Sequence, residues 1–460
     1  MWKVYFKGFA LLFLKKKEGY ILKYKKVLLH PPRALLLLFL FVSTIGTFLL
    51  KLPQATTTSV SWLDAWFTAI SAITVTGLVV VDTGSVFTIF GQLVIMLLIQ
   101  IGGLGIMSFA VVIFLLIGKK IGVSQRLLIT QALNQKGMGG IVKLVRSLLL
   151  FSIIIEMIGA IILSARWIPE YGVGSGIYAA IFHSISAYNN AGFSIWSDSL
   201  SSYVGDPVIN IVITLLFILG GIGFTVLIDL KNKKHFREWT LHTKLMVIGS
   251  IIINALAFIV IITLEWNNTS TIGQLNGPGK GWAALFQAVT PRTAGFNTVD
   301  IGSMEEASLF FIICLMFIGA GSASTGGGIK LTTFIAMLLS VNTFLKGKNE
   351  VTIFHKTLAF SIIIKALAIT VISTGVVILG VFILELTQES PFLVNLFEVV
   401  SAFGTVGLSM GLTGSLDGIG KVTIIVIMMV GKLGPLTLAF IFASKKTSKI
   451  RYPEEEVLTG

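Results

Sequence analysis

FTAISAITVTGL, residues 67–78, is the stretch on which the fold turns. Three residues after Phe67 comes Ile70, then Ser71, and further on Gly77 and Leu78. The same order returns as FHSISAYNNAGF at 182–193, as FQAVTPRTAGF at 286–296, and as FEVVSAFGTVGL at 397–408; the third copy is one residue shorter and is interrupted by Pro291. Each copy lies between two long apolar runs. Its own apolar part covers only about 10 to 14 residues, too short to cross a hydrocarbon layer of about 30 Å. The unit therefore reads as helix, short re-entrant helix, extended Gly-containing loop, helix. Non-helical backbone at membrane depth is tolerated only where it lines water or is buried in protein. Four such loops meeting on one axis satisfy both conditions.

Working outward, hydrophobic residues make up 55% of the 460 and charged residues 12%, against roughly a quarter charged in soluble domains. Apolar stretches such as 33–52, 86–117 and 243–265 are long enough to span. The predicted fold is an all-α membrane protein: four membrane-pore-membrane repeats arranged pseudo-fourfold around one central pore. The repeats run over 31–120, 141–235, 240–349 and 350–445, preceded by a basic segment 1–30 and followed by a tail 446–460.

The net charge of +14 is a topology signal rather than a nucleic-acid footprint. Lys and Arg gather in residues 1–33, 119–146, 231–237, 346–356 and 445–451, whereas the intervening loops carry Asp82, Glu170, Asp198, Asp206, Asp300, Glu305, Glu306, Glu385, Glu389 and Asp417. The positive-inside rule then puts both termini in the cytoplasm. The lysine-flanked run Phe9–Leu14 has no small-residue cleavage site after it, which argues against a signal peptide. Residues 1–30 read either as an interfacial amphipathic segment or as a disordered basic tail. The single cysteine, Cys314, excludes an intrachain disulfide framework and Cys-based metal sites. With five His and no cluster of His, Asp or Glu, no membrane-embedded active site is indicated. Alternating access would call for inverted repeats, and these four share one orientation.

A cation that sheds its water needs replacement oxygens, and rings of backbone carbonyls supply them without fixed charge. Turning successive carbonyls to one side needs residues that accept positive φ, the role of glycine. The candidate filter strands are Thr74, Val75, Thr76 and Gly77; Asn189, Asn190, Ala191 and Gly192; Arg292, Thr293, Ala294 and Gly295; and Gly404, Thr405, Val406 and Gly407. Their side chains differ, as backbone coordination allows. Each re-entrant helix enters from outside, so its carboxyl end brings about half a negative charge toward the ion.

A second glycine feature follows each loop: Gly102, Gly103 and Gly105; Gly220, Gly221 and Gly223; Gly319 and Gly321; Gly431 and Gly434. In the first two copies these glycines read equally as small-residue helix packing. In the third, Gly319 to Gly328 reads GAGSASTGGG. Each Gly costs about 1 kcal/mol in a helix interior, so an intramembrane loop over 319–329 is expected. Its likeness to a phosphate-binding loop is superficial, because Lys does not follow the last Gly and no strand precedes it.

These motifs resemble those of the Trk/Ktr/HKT superfamily of potassium transporters, and the length and tail are most similar to the membrane subunits of the bacterial Ktr branch. The resemblance covers residue 31 to the carboxyl end. It implies potassium as substrate, held by filter carbonyls, with no covalent cofactor and with sodium as activator or coupled ion. It also implies a gate below the filter, a homodimer in the bacterial plasma membrane, and a cytoplasmic ring of regulatory subunits that bind an ATP/ADP-type nucleotide. Gly77, where sodium-permeable relatives have Ser, fits potassium. The gate residues carried over are Gly319, Gly321, Ser322, Ser324, Thr325, Gly326, Gly327, Gly328, Lys330 and Lys432.

Several residues admit two readings. Lys432, in the middle of the last apolar helix, either projects onto the 319–328 loop or snorkels to the surface. Lys330 either joins the gate or ends its loop in the inner vestibule. Lys365 and Glu156 snorkel or pair within the bundle. Asp64 reads as a helix amino-terminal cap. Thr68, His183, Gln287 and Glu398, each following a repeated Phe, read as hydrogen-bonding groups behind the filter. Arg292 is expected to turn away from the axis toward a carboxylate or carbonyl.

Overall fold

A computed structural model describes residues 31–105 and 141–436, with Pro453 and Glu455. The readings of 1–30, of the basic residues between 106 and 140, and of the tail 446–460 lie outside the described residues. Helix α1 (Pro31–Leu50) is followed by α2 (Trp62–Thr74), the one-turn α3 (Thr83–Val86) and α4 (Ile89–Gly103). Then come α5 (Ile141–Tyr171), α6 (Val173–Tyr188), α7 (Pro207–Gly221) and α8 (Phe224–Asn232). The third quarter holds α9 (Leu241–Glu265), α10 (Gly277–Val289), α11 (Glu306–Phe317) and α12 (Leu331–Leu345). A small antiparallel hairpin, β1 (Thr352–Ile353) with β2 (Lys356–Thr357), leads to α13 (Phe360–Thr387), α14 (Phe392–Gly404) and α15 (Gly418–Leu433).

Length separates two helix types. α1, α5, α9 and α13 have 20 to 31 residues, enough at 1.5 Å per residue to cross a bilayer core, and all four are apolar enough to do so. The helices that carry the repeated motif, α2, α6, α10 and α14, have 13 to 16 residues and cannot. The long helices turn Ile153, Met157 and Ile161 of α5 and Val371, Ile378 and Phe382 of α13 outward, as contact with acyl chains requires.

The motif residues anchor the short helices. Phe67, Phe182, Phe286 and Phe397 are at most 1% exposed, as are Leu78, Phe193, Phe296 and Leu408 at the far end of each copy. Each short helix packs on its own repeat and on the second helix of the preceding repeat: α6 on α4, α10 on α7, α14 on α11, and α2 on α15. The last pairing joins residues from opposite ends of the chain and closes the cycle, and the Lys421–Asp64 ion pair (2.7 Å) lies across it. Asp64 differs here from its sequence reading. The cap of α2 is Ser61, whose hydroxyl accepts the Asp64 N–H at 3.1 Å. Asp64 sits inside the first turn, where a carboxylate complements the helix dipole.

The second helices end alike. α4, α7 and α15 stop beside Gly105, Gly223 and Gly434, with φ of 84°, 102° and 87°, and α8 leaves α7 at 95°. In the third repeat the helix stops at Phe317 and resumes at Leu331.

Candidate cation filter and intramembrane loop

Beyond each short helix the backbone alternates in handedness. Gly77, Gly192, Gly295 and Gly407 have φ of 90°, 68°, 78° and 94°, and the residue two before each is also left-handed: Val75 (52°), Asn190 (57°), Thr293 (73°) and Thr405 (49°). Positive φ in a β-branched residue is a genuine outlier, costing of order 1–3 kcal/mol and persisting only where surroundings impose it. The imposing groups are the motif hydroxyls. Ser71 Oγ accepts the Gly77 N–H at 3.2 Å and Ser401 Oγ the Gly407 N–H at 3.1 Å. Ser186 Oγ donates to the Phe193 carbonyl at 2.7 Å and Thr290 Oγ1 to the Phe296 carbonyl at 2.5 Å.

The four strands come together. A methyl group on Gly77 would lie 3.0 Å from Gly192 Cα; one on Gly192, 2.8 Å from Gly295 Cα; one on Gly295 would strike the Val406 carbonyl; one on Gly407, 3.1 Å from Gly77 Cα. The contacts run through all four copies and return to the first. Three of the glycines that follow the loops serve close approach to these strands, since side chains on Gly102, Gly220 and Gly431 would run into the Ile73, Tyr188 and Phe403 carbonyls.

The segment 319–328 lies against the same strands. Thr325 Oγ1 donates to Asn190 Oδ1 (2.8 Å), the Gly327 N–H to Thr405 Oγ1 (2.9 Å), and a side chain on Gly326 would strike Thr293. Asn190 Nδ2 reaches Thr293 Oγ1 at 3.3 Å. On its other side the segment is tied to the α7–α8 break, through the Gly321 N–H to the Gly221 carbonyl (2.8 Å) and the Phe224 N–H to the Ala323 carbonyl (2.9 Å). Two ammonium groups hold consecutive carbonyls: Lys432 Nζ donates to the Thr325 carbonyl, and Lys330 Nζ to that of Gly326 at 2.6 Å. Ser324 Oγ bonds the Gly321 carbonyl at 2.6 Å, and Ser322 Oγ meets Thr332 Oγ1 at 3.2 Å.

Residues 37–450 match the TrkH family, described as cation transport proteins. The chain belongs to that family. It is 57% identical to Ktr system potassium uptake protein B of Bacillus subtilis over 95% of this chain and 98% of that protein. It is 43% identical to the protein of the same name from Vibrio alginolyticus, over 93% and 95% respectively. The crystal structure of the potassium transporter TrkH from Vibrio parahaemolyticus superposes with a TM-score of 0.71 at 20% identity, covering 94% of this chain and 86% of that one; the fold is shared. A TrkH-family chain is a multi-pass membrane transporter, not an enzyme.

Within this TrkH-family chain the residues after the repeated Phe form a clamp that sequence reading placed only in outline. His183 Nε2 meets Ser194 Oγ at 3.0 Å, Gln287 Nε2 donates to Thr298 Oγ1 at 3.3 Å, and Glu398 accepts from Ser409 Oγ at 2.7 Å and from Thr413. Ser194, Thr298 and Ser409 each stand eleven residues on, past the candidate filter strand, so each bond ties the short helix to the chain beyond that strand. In the first repeat that position is Val79, and Thr68 bonds the Asp64 carbonyl instead (2.8 Å). Sequence reading did not identify these partners, whose one common feature is the offset of eleven residues. Arg292 turns to α9, donating to Asn254 Oδ1 (3.1 Å) and Ser250 Oγ (3.4 Å). Lys365 is exposed one turn into α13, whereas Glu156 is buried and pairs inside the bundle.

Proposed function

We propose that the chain carries potassium across the bacterial plasma membrane, through a pore enclosed by four pseudo-fourfold repeats and closed below the filter by the 319–328 loop. The observation that carries this reading is the closed cycle of contacts among Gly77, Gly192, Gly295 and Gly407. In that arrangement alternately handed backbone from four strands presents carbonyls in place of water. Four short-helix carboxyl ends converge there, favouring a cation and repelling anions. Potassium is supported by Gly77 and by relatives named for its uptake. The loop acts as the gate: it occupies the cytoplasmic side of the strands, and Lys330 and Lys432 put two positive charges beside it. Release requires breaking the Thr325, Gly326 and Gly327 contacts, the task of a nucleotide-binding regulatory ring. Both termini face the cytoplasm, the chain pairs as a homodimer, and sodium activates or couples.

Flux of potassium, rubidium and sodium into liposomes tests the filter. The parent should prefer potassium, and Gly77→Ser should admit sodium. Unaltered uptake and selectivity after Gly77→Ser and after Gly77→Asp would show that the strand at Gly77 lines no ion path.

A further inference from the structure

Glu156 stands at the middle of α5, the costliest depth for a charge in a bilayer, and is buried. Its carboxylate accepts only neutral donors: Gln100 Nε2 at 3.1 Å from each oxygen, and Asn189 Nδ2 at 3.0 Å. Asn189 belongs to the second filter strand, and its amide nitrogen also serves Gln100 Oε1 (2.8 Å) and the Ile185 carbonyl (2.9 Å). Three acceptors around one NH2 fix which way that amide points. Gly103 on α4 leaves the room, since a side chain there would overlap Asn189. The network thus joins the second helix of repeat one, the first helix of repeat two and the filter backbone. None of the ion pairs among the described residues includes Glu156. Among the described residues this carboxyl group is held by amides alone, one asparagine side chain from the proposed filter, and has no protein counter-charge.

We propose that Glu156 is the fixed counter-charge of the cation in the filter, a positioning residue that sets how tightly the second strand's ring holds its ion. The inference rests on the filter reading above. The carboxylate lowers the energy of an occupied filter, and the occupying cation in turn stabilises the buried anion, so the two are linked without contact. The amides of Gln100 and Asn189 hold the carboxyl group in place, and their hydrogen bonds offset part of the cost of burying its charge.

The test uses the full chain in phosphatidylethanolamine and phosphatidylglycerol liposomes. Glu156→Gln keeps the size and removes the charge. Half-saturating potassium for uptake is expected to rise about tenfold, the scale of losing one unit charge near an ion at an effective dielectric near 20, with maximal rate little changed. Half-saturating sodium should move the same way, and Glu156→Asp should stay within about threefold of the parent, because charge and not shape sets the effect. A parent-like potassium value in Glu156→Gln, or equal shifts in Gln and Asp, overturns the proposal. If Glu156→Gln does not fold, Gln100→Lys substitutes by placing an ammonium against the carboxylate: a comparable rise supports the counter-charge, and an unmoved value overturns it. Failure of the filter reading is separately visible, as parent flux that ignores Gly77→Ser.

Discussion

Each proposed filter strand holds one residue in the left-handed region and is restrained by one motif hydroxyl. Val75 and Thr405 are left-handed although their side chains disfavour it, and the Ser71 and Ser401 hydroxyls sit on the amides of Gly77 and Gly407. Ser401→Ala removes the acceptor of the half-buried Gly407 N–H, at about 1 kcal/mol. The expected outcome is a lower thermal midpoint together with a reduced potassium-over-sodium ratio in flux. Packing alone governs Phe397→Ala: a wholly buried ring removed from α14 should cost about 3–5 kcal/mol, read as a fall in thermal midpoint. At this scale the sequence was half legible. Gly77 and its three counterparts announce positive φ, because glycine alone takes it freely. Of the residues two places earlier only Asn190 is of a type that favours the left-handed region; nothing in Val75, Thr293 or Thr405 marks a left-handed site that only tertiary bonds can enforce. The clamp from His183, Gln287 and Glu398 was legible as buried polarity, but not in its partners. Repeat one, with Val79 in place of a hydroxyl, hides the shared offset.

The interruption of the second helices is a property of elements. The glycines of 319–328 were dense enough to foretell a break in the third repeat, where α11 stops and α12 begins. In the first two repeats the same residues read equally as packing sites, and they serve both ends. Gly220 admits the Tyr188 carbonyl, while three residues on Gly223 turns the chain through a left-handed φ. A side chain on Gly223 would stand 2.6 Å from the Ser322 carbonyl, so Gly223→Ala strains the backbone and pushes on the loop together. Its expected result is a raised potassium flux in liposomes without any regulatory partner, at about 1 kcal/mol or more of stability. Deleting Ser322 to Gly327 should raise that flux further; a folded deletion with unchanged or lower flux would show that the loop does not obstruct the ion.

Over the whole molecule, the repeats interlock because every short helix packs on the preceding repeat, and α15 against α2 completes the cycle. The four copies of the motif were legible in the sequence, and each falls on a short helix with a loop after it. Which repeat touches which was not legible, since lipid-facing and neighbour-facing surfaces are both apolar. The Asp64–Lys421 pair could not be foreseen from residues 357 positions apart. Its side chains are only 17% and 18% exposed, so Lys421→Met leaves a largely buried carboxylate without its counter-ion and is expected to lower the thermal midpoint by about 1–3 kcal/mol's worth, more than an exposed pair would lose. The exchange Asp64→Lys with Lys421→Asp should recover part of that loss.

Most direct is the anomalous scattering of rubidium soaked into crystals of the full chain. Peaks are expected on one axis, inside the ring formed by Gly77, Gly192, Gly295 and Gly407 and bounded below by Thr325 to Gly327. Rubidium bound elsewhere, with no density between those four strands, contradicts a filter built from them.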